Sequence, residues 1–274
     1  MKYLQTEITA EGYTARLSAY LLDYYDDFDK GRRRPAMLIC PGGAYWYTSV
    51  REAEPVAVKF SSFGYQTFVL DYSCAPTGAV YPVAFKQALL SIGYIRKHAE
   101  EFHIDPEHIA IMGFSAGGHL AANVSTDYMN EKILSEIGCT VQDVRPNASV
   151  LCYPVISTGE YAHKGSIDNL LGKSGGQKMR DFLSLEHRVS ESTPPTFIWH
   201  TFSDESVPVE NSLYYALALK KHNVTCELHV FPFGPHGLSL ANPETSHPGN
   251  VQVVEECTQW PDLAERFLSQ CFSK

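Results

Sequence analysis

Short apolar runs, each stopped by turn residues and followed by a stretch of helical spacing, recur over residues 36–271. Ala36-Met37-Leu38-Ile39-Cys40 stops at Pro41-Gly42-Gly43, and Ile109-Ala110-Ile111-Met112 stops at Gly113. Thr67-Phe68-Val69-Leu70 follows Gly64. Runs this short, apolar at every position, predict strands buried on both faces. Residues 52–63 predict a helix closed by Gly64. Pro82 opens another, with Phe85, Ala88, Leu89 and Ile92 on one stripe. Strands are expected again at 148–152, 196–199 and 225–231, and helices at 116–124 and 209–221. The last helix carries Trp260, Leu263, Ala264, Phe267, Leu268 and Cys271 on one side. Ahead of all this, residues 13–22 read as a strand and 23–34 as a polar turn. Such alternation means a mostly parallel central sheet flanked by helices, an α/β fold.

The chain has 274 residues, enough to cover both faces of such a sheet in one domain. Hydrophobic residues at 44% and charged residues at 19% fit a globular chain rather than a disordered one. The formal charge of -9 argues against a nucleic-acid or anionic-membrane surface, which needs clustered cations. The one basic run, around Gly31, reads as a solvated turn. Seven cysteines without CxxC spacing, with Cys40, Cys152 and Cys226 inside apolar runs, read as reduced thiols packed as small hydrophobes. The first ten residues lack the apolar core of a signal peptide, and no stretch approaches a membrane span. A soluble cytoplasmic protein is expected, with a homo-oligomer left open. Two stretches break the alternation, 128–146 and 157–193. The second is expected to be a small lid insertion, with a plain surface excursion as the alternative.

Gly113-Phe114-Ser115-Ala116-Gly117 is a G-x-S-x-G pentapeptide. At ordinary Gly and Ser usage it arises by chance in roughly one chain in ten of this length. Its context carries the weight. A buried strand runs into it and a helix-forming run leaves it, the arrangement that lifts a serine hydroxyl out of a sheet. Ser115 is therefore the candidate nucleophile. Serine needs a base. His236, in the irregular loop Phe233-Gly234-Pro235-His236-Gly237 after the last strand, is the best placed of eleven histidines. His200 and His229 lie within strands and read as packed, His119 faces the packing side of its helix, and His222 ends a helix. The acid that orients the base is expected between nucleophile and base, after strand 196–199. Asp204 is preferred there, with Glu205 as its rival. The oxyanion donors are expected to be the N–H of Ala116 and that of Gly43, with Gly42 or Ala44 possible. No HExxH motif, zinc-spaced Cys/His pair or Gly-rich nucleotide loop is present, so neither metal nor cofactor is expected.

These motifs together resemble the esterase branch of the α/β-hydrolases. Pro41-Gly42-Gly43-Ala44 resembles the HGGG loop of the hormone-sensitive-lipase-like enzymes, with Pro for His and Ala for the last Gly. That variant is similar to acetyl esterases and acetyl-xylan-esterase-like proteins. The stretch from Asp71-Tyr72-Ser73 to Tyr81-Pro82 is similar to the Y-R-L-A-P…F-P-A-x-x-D segment of the same superfamily, with Gln87 where Asp usually closes it. Thr193-Pro194-Pro195, Asp204 to Pro208 and His236-Gly237-Leu238 fit the same branch. The resemblance implies the α/β-hydrolase fold and a serine carboxylesterase acting on short-chain, foremost acetyl, esters of small molecules, with a carbohydrate alcohol in view. Tyr45 and Trp46, in the aromatic cluster Tyr45-Trp46-Tyr47 after the oxyanion glycines, are the candidate substrate contacts; packing in the core is their alternative. A peptidase or arylformamidase-type amide hydrolase would use the same triad, and a catalytically silent binding protein would keep the fold alone.

Overall fold

The computed structural model describes residues 1–25, 27, 29–249 and 251–273. Asp26 and Phe28 of the polar turn lie outside the described residues. Eight strands form one sheet: β1 Lys2–Ala10, β2 Tyr13–Leu21, β3 Arg34–Cys40, β4 Gln66–Asp71, β5 Ile104–Phe114, β6 Ala148–Cys152, β7 Thr196–Thr201 and β8 Cys226–Phe231. Their order across the sheet is β1-β2-β4-β3-β5-β6-β7-β8. β2 runs antiparallel to both β1 and β4, and the remaining pairs are parallel. This is the α/β-hydrolase architecture expected above.

The apolar runs are continuous because the sheet is buried on both sides. Successive residues of β3 sort to opposite layers: Ala36, Leu38 and Cys40 join one core cluster, Met37 and Ile39 the other. Helices α1 Glu54–Ser62 and α9 Trp260–Phe272 close the second cluster. Helices α2 Val83–Lys97, α3 Ala116–Asp127 and α8 Glu210–Lys221 close the first. In chain order the others are α4 Glu131–Ile137, α5 Val141–Val144, α6 Lys164–Leu171 and α7 Gln177–Phe182. Among the described residues no helix is long and apolar enough to cross a membrane.

Three expectations shift at the edges. The helix expected from residue 52 starts two residues later, and a separate 3-10 turn, Val50–Glu52, precedes it. β8 is an edge strand, so Cys226 is half-buried while Cys40 and Cys152 are fully buried. For the same reason His229 is not packed away; its Nε2 meets Glu227 at 2.8 Å. Gln87 makes its own contacts where the resemblance has Asp: it accepts from the Ser73 N–H at 2.9 Å and donates to Tyr13 O at 3.1 Å.

The chain direction across the sheet reverses between β3 and β5. β4 lies on one side of β3 while β5 to β8 continue on the other. In open α/β sheets a crevice forms at such a reversal, outside the carboxyl ends of the strands. The loops after β3, β5, β7 and β8 all open at that end. The segment 157–193 folds over the same end, where its Asn169 donates to Ala44 O at 2.8 Å.

Trp260 ties α9 to this end. Its ring is fully buried, stacks on Trp199 with centroids 5.3 Å apart, and donates from Nε1 to Ser239 O at 2.8 Å. Trp260→Ala should cost ~3–5 kcal/mol. Leu217→Ala, at a residue 67% exposed, should stay within ~0.5 kcal/mol. Urea unfolding of the two variants checks both figures.

Candidate active site

β5 delivers Ser115 into a sharp turn. Its backbone sits at φ 52° and ψ -117°, a sparsely populated region for a residue with a side chain. Neighbouring backbone leaves no room for alternatives. A Cβ on Gly113 would fall 2.0 Å from Gly117 O, and one on Gly117 would fall 2.1 Å from Cys40 O. The Ser115 N–H donates to Cys152 O at 3.0 Å and Ser115 O accepts from the Val155 N–H at 3.0 Å, which fixes the turn from the β6 side. The hydroxyl stands at the N-terminus of α3, where peptide N–H groups lack carbonyl partners.

The structure brings Ser115, His236 and Asp204 into contact. Ser115 Oγ lies 2.8 Å from His236 Nε2, and His236 Nδ1 lies 2.6 Å from Asp204 Oδ2. Asp204, on the loop after β7, is inaccessible at its side chain. Its other oxygen, Oδ1, accepts from the N–H groups of Ser206 at 2.9 Å and Val207 at 3.0 Å. Burial alone would raise its pKa. Hydrogen bonds from His200 and His236, with the imidazole charge, outweigh burial and hold the carboxyl well below the usual range. Glu205 is exposed and takes no part in this contact.

His200 was expected only to pack. It is fully buried, but its Nε2 also reaches Asp204 Oδ2 at 3.2 Å and Val207 O at 2.9 Å. A carbonyl only accepts, so Nε2 must carry the proton. Asp204 is thus held by two imidazoles and two peptide N–H groups. The sequence signal was there: a histidine at the end of a strand, four residues before the acid. His119 is buried as expected, with Nδ1 3.0 Å from Tyr45 Oη, and burial lowers its pKa to about 4.

Around Ser115 and His236 lies a cavity of about 290 Å³, walled in part by Gly43, Ala44, Tyr47, Arg51 and His163. Larger depressions exist, of about 510 Å³ over the sheet face near Tyr3 and Arg16 and about 660 Å³ near Tyr94 and Arg96. Neither holds a hydroxyl, an imidazole and a carboxylate in contact, so size does not mark the site. His163 comes from the segment 157–193, and burial is the main cause of its lowered pKa.

Three site expectations need correction. The Gly42 N–H is already committed to Glu52 Oε2 at 2.8 Å, so Gly42 is no free oxyanion donor. Among the described residues the N–H groups of Gly43 and Ala44 make no such bond. Tyr45 lies 2% exposed in the core and cannot meet a ligand in this geometry. Trp46 is 56% exposed but outside the cavity wall; Tyr47, 59% exposed, is the residue of the cluster that borders it. Ala44 and Tyr45 both have left-handed backbone, at φ 54° and 56°.

The fold places the chain among the α/β-hydrolases. Within that class it belongs to the family whose model, described as BD-FAE, matches residues 22–219. It is 37% identical over 235 residues to endo-1,4-beta-xylanase B of Butyrivibrio fibrisolvens, covering 85% of this chain and 36% of that one. It is 31% identical over 262 residues to an acetylxylan esterase of Xylanibacter ruminicola, covering 92% and 50%. The chain therefore spans half or less of these two relatives. Among solved structures, the carboxylesterase Cest-2923 of Lactobacillus plantarum is similar at a TM-score of 0.88 and 32% identity, with 98% of each chain covered. An acetyl ester-xyloside bifunctional hydrolase of Caldicellulosiruptor lactoaceticus aligns at 0.80 and 39%, covering 94% of this chain and 88% of that one.

The lowered pKa of Asp204 has a testable sign. A carboxyl whose folded pKa is lowered adds stability that is full above its unfolded value, near 3.8, and is lost as pH falls through the folded value. The stability gap between wild type and Asp204→Asn should be widest near neutrality and should narrow steadily below that unfolded value. Urea midpoints over a pH series measure it; a gap that stays constant into acid would contradict the assignment.

Proposed function

We propose that the protein is a serine carboxylesterase that removes short acyl groups, acetyl foremost, from esters of carbohydrates. The observation that carries this reading is the unbroken contact from Ser115 Oγ through His236 to a buried Asp204 with its oxygens fully bonded. His236 Nε2 takes the hydroxyl proton as Ser115 Oγ attacks the ester carbonyl. Asp204 holds the imidazole tautomer and stabilises the imidazolium. The tetrahedral oxyanion accepts from Ala116 N–H and from Gly43 or Ala44 N–H. The C–O bond to the alcohol then breaks, and the proton on Nε2 goes to the departing oxygen. Water repeats the cycle on the acyl-serine, and the carboxylic acid leaves.

The cavity, about 290 Å³, sits at the small end of the usual ~300–1,000 Å³ for ligand pockets, which favours a short acyl group. Exclusion is needed for such selectivity, since one methylene changes pocket binding by only ~1–3 kcal/mol. The chain's similarity to an acetylxylan esterase and to an acetyl ester-xyloside bifunctional hydrolase supports acetyl on a xylose-based alcohol. Tyr47, exposed and bordering the cavity, offers a flat face for a sugar.

Ser115→Ala should lower kcat about 10⁶-fold with the fold intact. Asp204→Asn should cost about 10⁴-fold, and Glu205→Gln far less. Activity should survive exhaustive chelation, because the triad supplies nucleophile and base without a metal. Tyr47→Ala should raise KM for an acetylated xylo-oligosaccharide while leaving an aryl acetate within about threefold. Steady-state kinetics with acetyl, butyryl and octanoyl aryl esters and that oligosaccharide test the whole reading. A preference for octanoyl esters defeats the short-acyl part, and no turnover of any acetylated sugar defeats the carbohydrate part.

A further inference from the structure

Glu52 stands at the end of the 3-10 turn Val50–Glu52 and is only 3% exposed, although it borders the cavity that holds Ser115. A carboxylate taken out of water must find donors. Its Oε2 accepts from the Gly42 N–H at 2.8 Å, and its Oε1 accepts from Tyr153 Oη at 2.6 Å. Burial and the Glu52 charge both raise the Tyr153 pKa far above its ordinary value, so the phenol keeps the proton it donates. Tyr153 Oη in turn accepts from the Ser239 N–H at 2.8 Å.

The three partners belong to three different parts of the catalytic apparatus. Gly42 precedes the oxyanion donors. Tyr153 follows Cys152, whose carbonyl holds the Ser115 N–H, and its ring meets His236 edge-on with centroids 5.1 Å apart. Ser239 lies three residues after His236. Tyr153 and Ser239 both sit at positive φ, 37° and 53°, conformations that persist only where surrounding contacts enforce them. The neighbouring Arg51 reinforces the link, since its guanidinium donates to Gly237 O at 2.7 Å.

We propose that Glu52 is a positioning residue for the reaction: one buried carboxylate sets the oxyanion loop, the loop beneath the nucleophile and the histidine loop in register with one another. The proposal rests on the triad reading above. Glu52 touches no substrate atom. It acts by aiming the Gly43 and Ala44 N–H groups at the place where negative charge develops and by holding the His236 loop over Ser115. A shift at Gly42 is felt at the nucleophile, because a Cβ there would lie 3.0 Å from Ser115 Cβ and 2.9 Å from Phe114 O.

The test is kinetics of an aryl acetate, normalised to active sites by titration with an organophosphonate, in wild type, Glu52→Ala, Glu52→Gln and Tyr153→Phe. Glu52→Ala should lower kcat per titrated site about 100-fold, at unchanged KM, as expected when oxyanion donors are misaimed. Affinity for an aryl trifluoromethyl ketone should fall by the same factor. Glu52→Gln should recover most of the loss, since its amide oxygen can accept from Gly42 while its NH₂ donates to Tyr153 Oη. Tyr153→Phe, which keeps the ring and cuts the relay, should lower kcat about tenfold. A merely structural role would reduce the titratable fraction and the Tm but leave kcat per site unchanged. Unchanged kcat per site in Glu52→Ala, or in Tyr153→Phe should the alanine variant not fold, overturns the proposal. Failure of the triad reading is seen separately, as wild-type turnover without titration of Ser115.

Discussion

Backbone packed against backbone at the end of β5 is the constraint on which the rest depends. Gly113, Gly117 and Cys40 bring three chain segments so close that a methyl group has no place between them. That contact locks the end of β3 to the first turn of α3. It also forces Ser115, caught between them, into a conformation that a serine adopts at a cost. The return on that cost is geometric. The hydroxyl leaves the sheet at the reversal of strand order, with the loop after β3 on one side and the loops after β7 and β8 on the other. Ser115, His236, Gly43 and Ala44 then border one cavity without any one loop having to be long.

Two buried carboxylates stabilise this arrangement, and both obey one rule: an ion withdrawn from water is tolerated only where donors saturate it. Asp204 is held by the imidazoles of His200 and His236 and the N–H groups of Ser206 and Val207. Glu52 is held by Gly42 and Tyr153. Each carboxylate therefore does two things. It satisfies polar groups on separate loops and fixes those loops relative to Ser115. Removing either would leave several donors unpaired at once, which is dearer than losing a single hydrogen bond.

What the sequence made legible follows from how burial is encoded. Apolar runs and helical stripes located the sheet and its flanking helices because each records the side of an element that faces the core. The elbow was legible from strand, turn and helix in succession, and the order of serine, acid and histidine singled out Asp204 and His236. Glu52 was not legible. It stands in a polar stretch that reads as the exposed start of a helix, and its partner Tyr153 is 101 residues away. No local pattern announces a buried acid. His163 was hidden in the same way inside an insertion without strong periodicity. The aromatic cluster was read one residue out of place: the backbone is left-handed at Ala44 and Tyr45, the first ring is buried and the third residue borders the cavity.

The central claim is that Ser115 carries the acyl group between the two halves of the reaction. Rapid acid quenching of the enzyme during turnover of an aryl acetate, followed by peptide mass spectrometry, tests it most directly. The account predicts one added acetyl group, transient, on the peptide containing Ser115 and localised to that residue. Turnover with no acetyl on Ser115 at any quench time, or with the acetyl on another side chain, would contradict it.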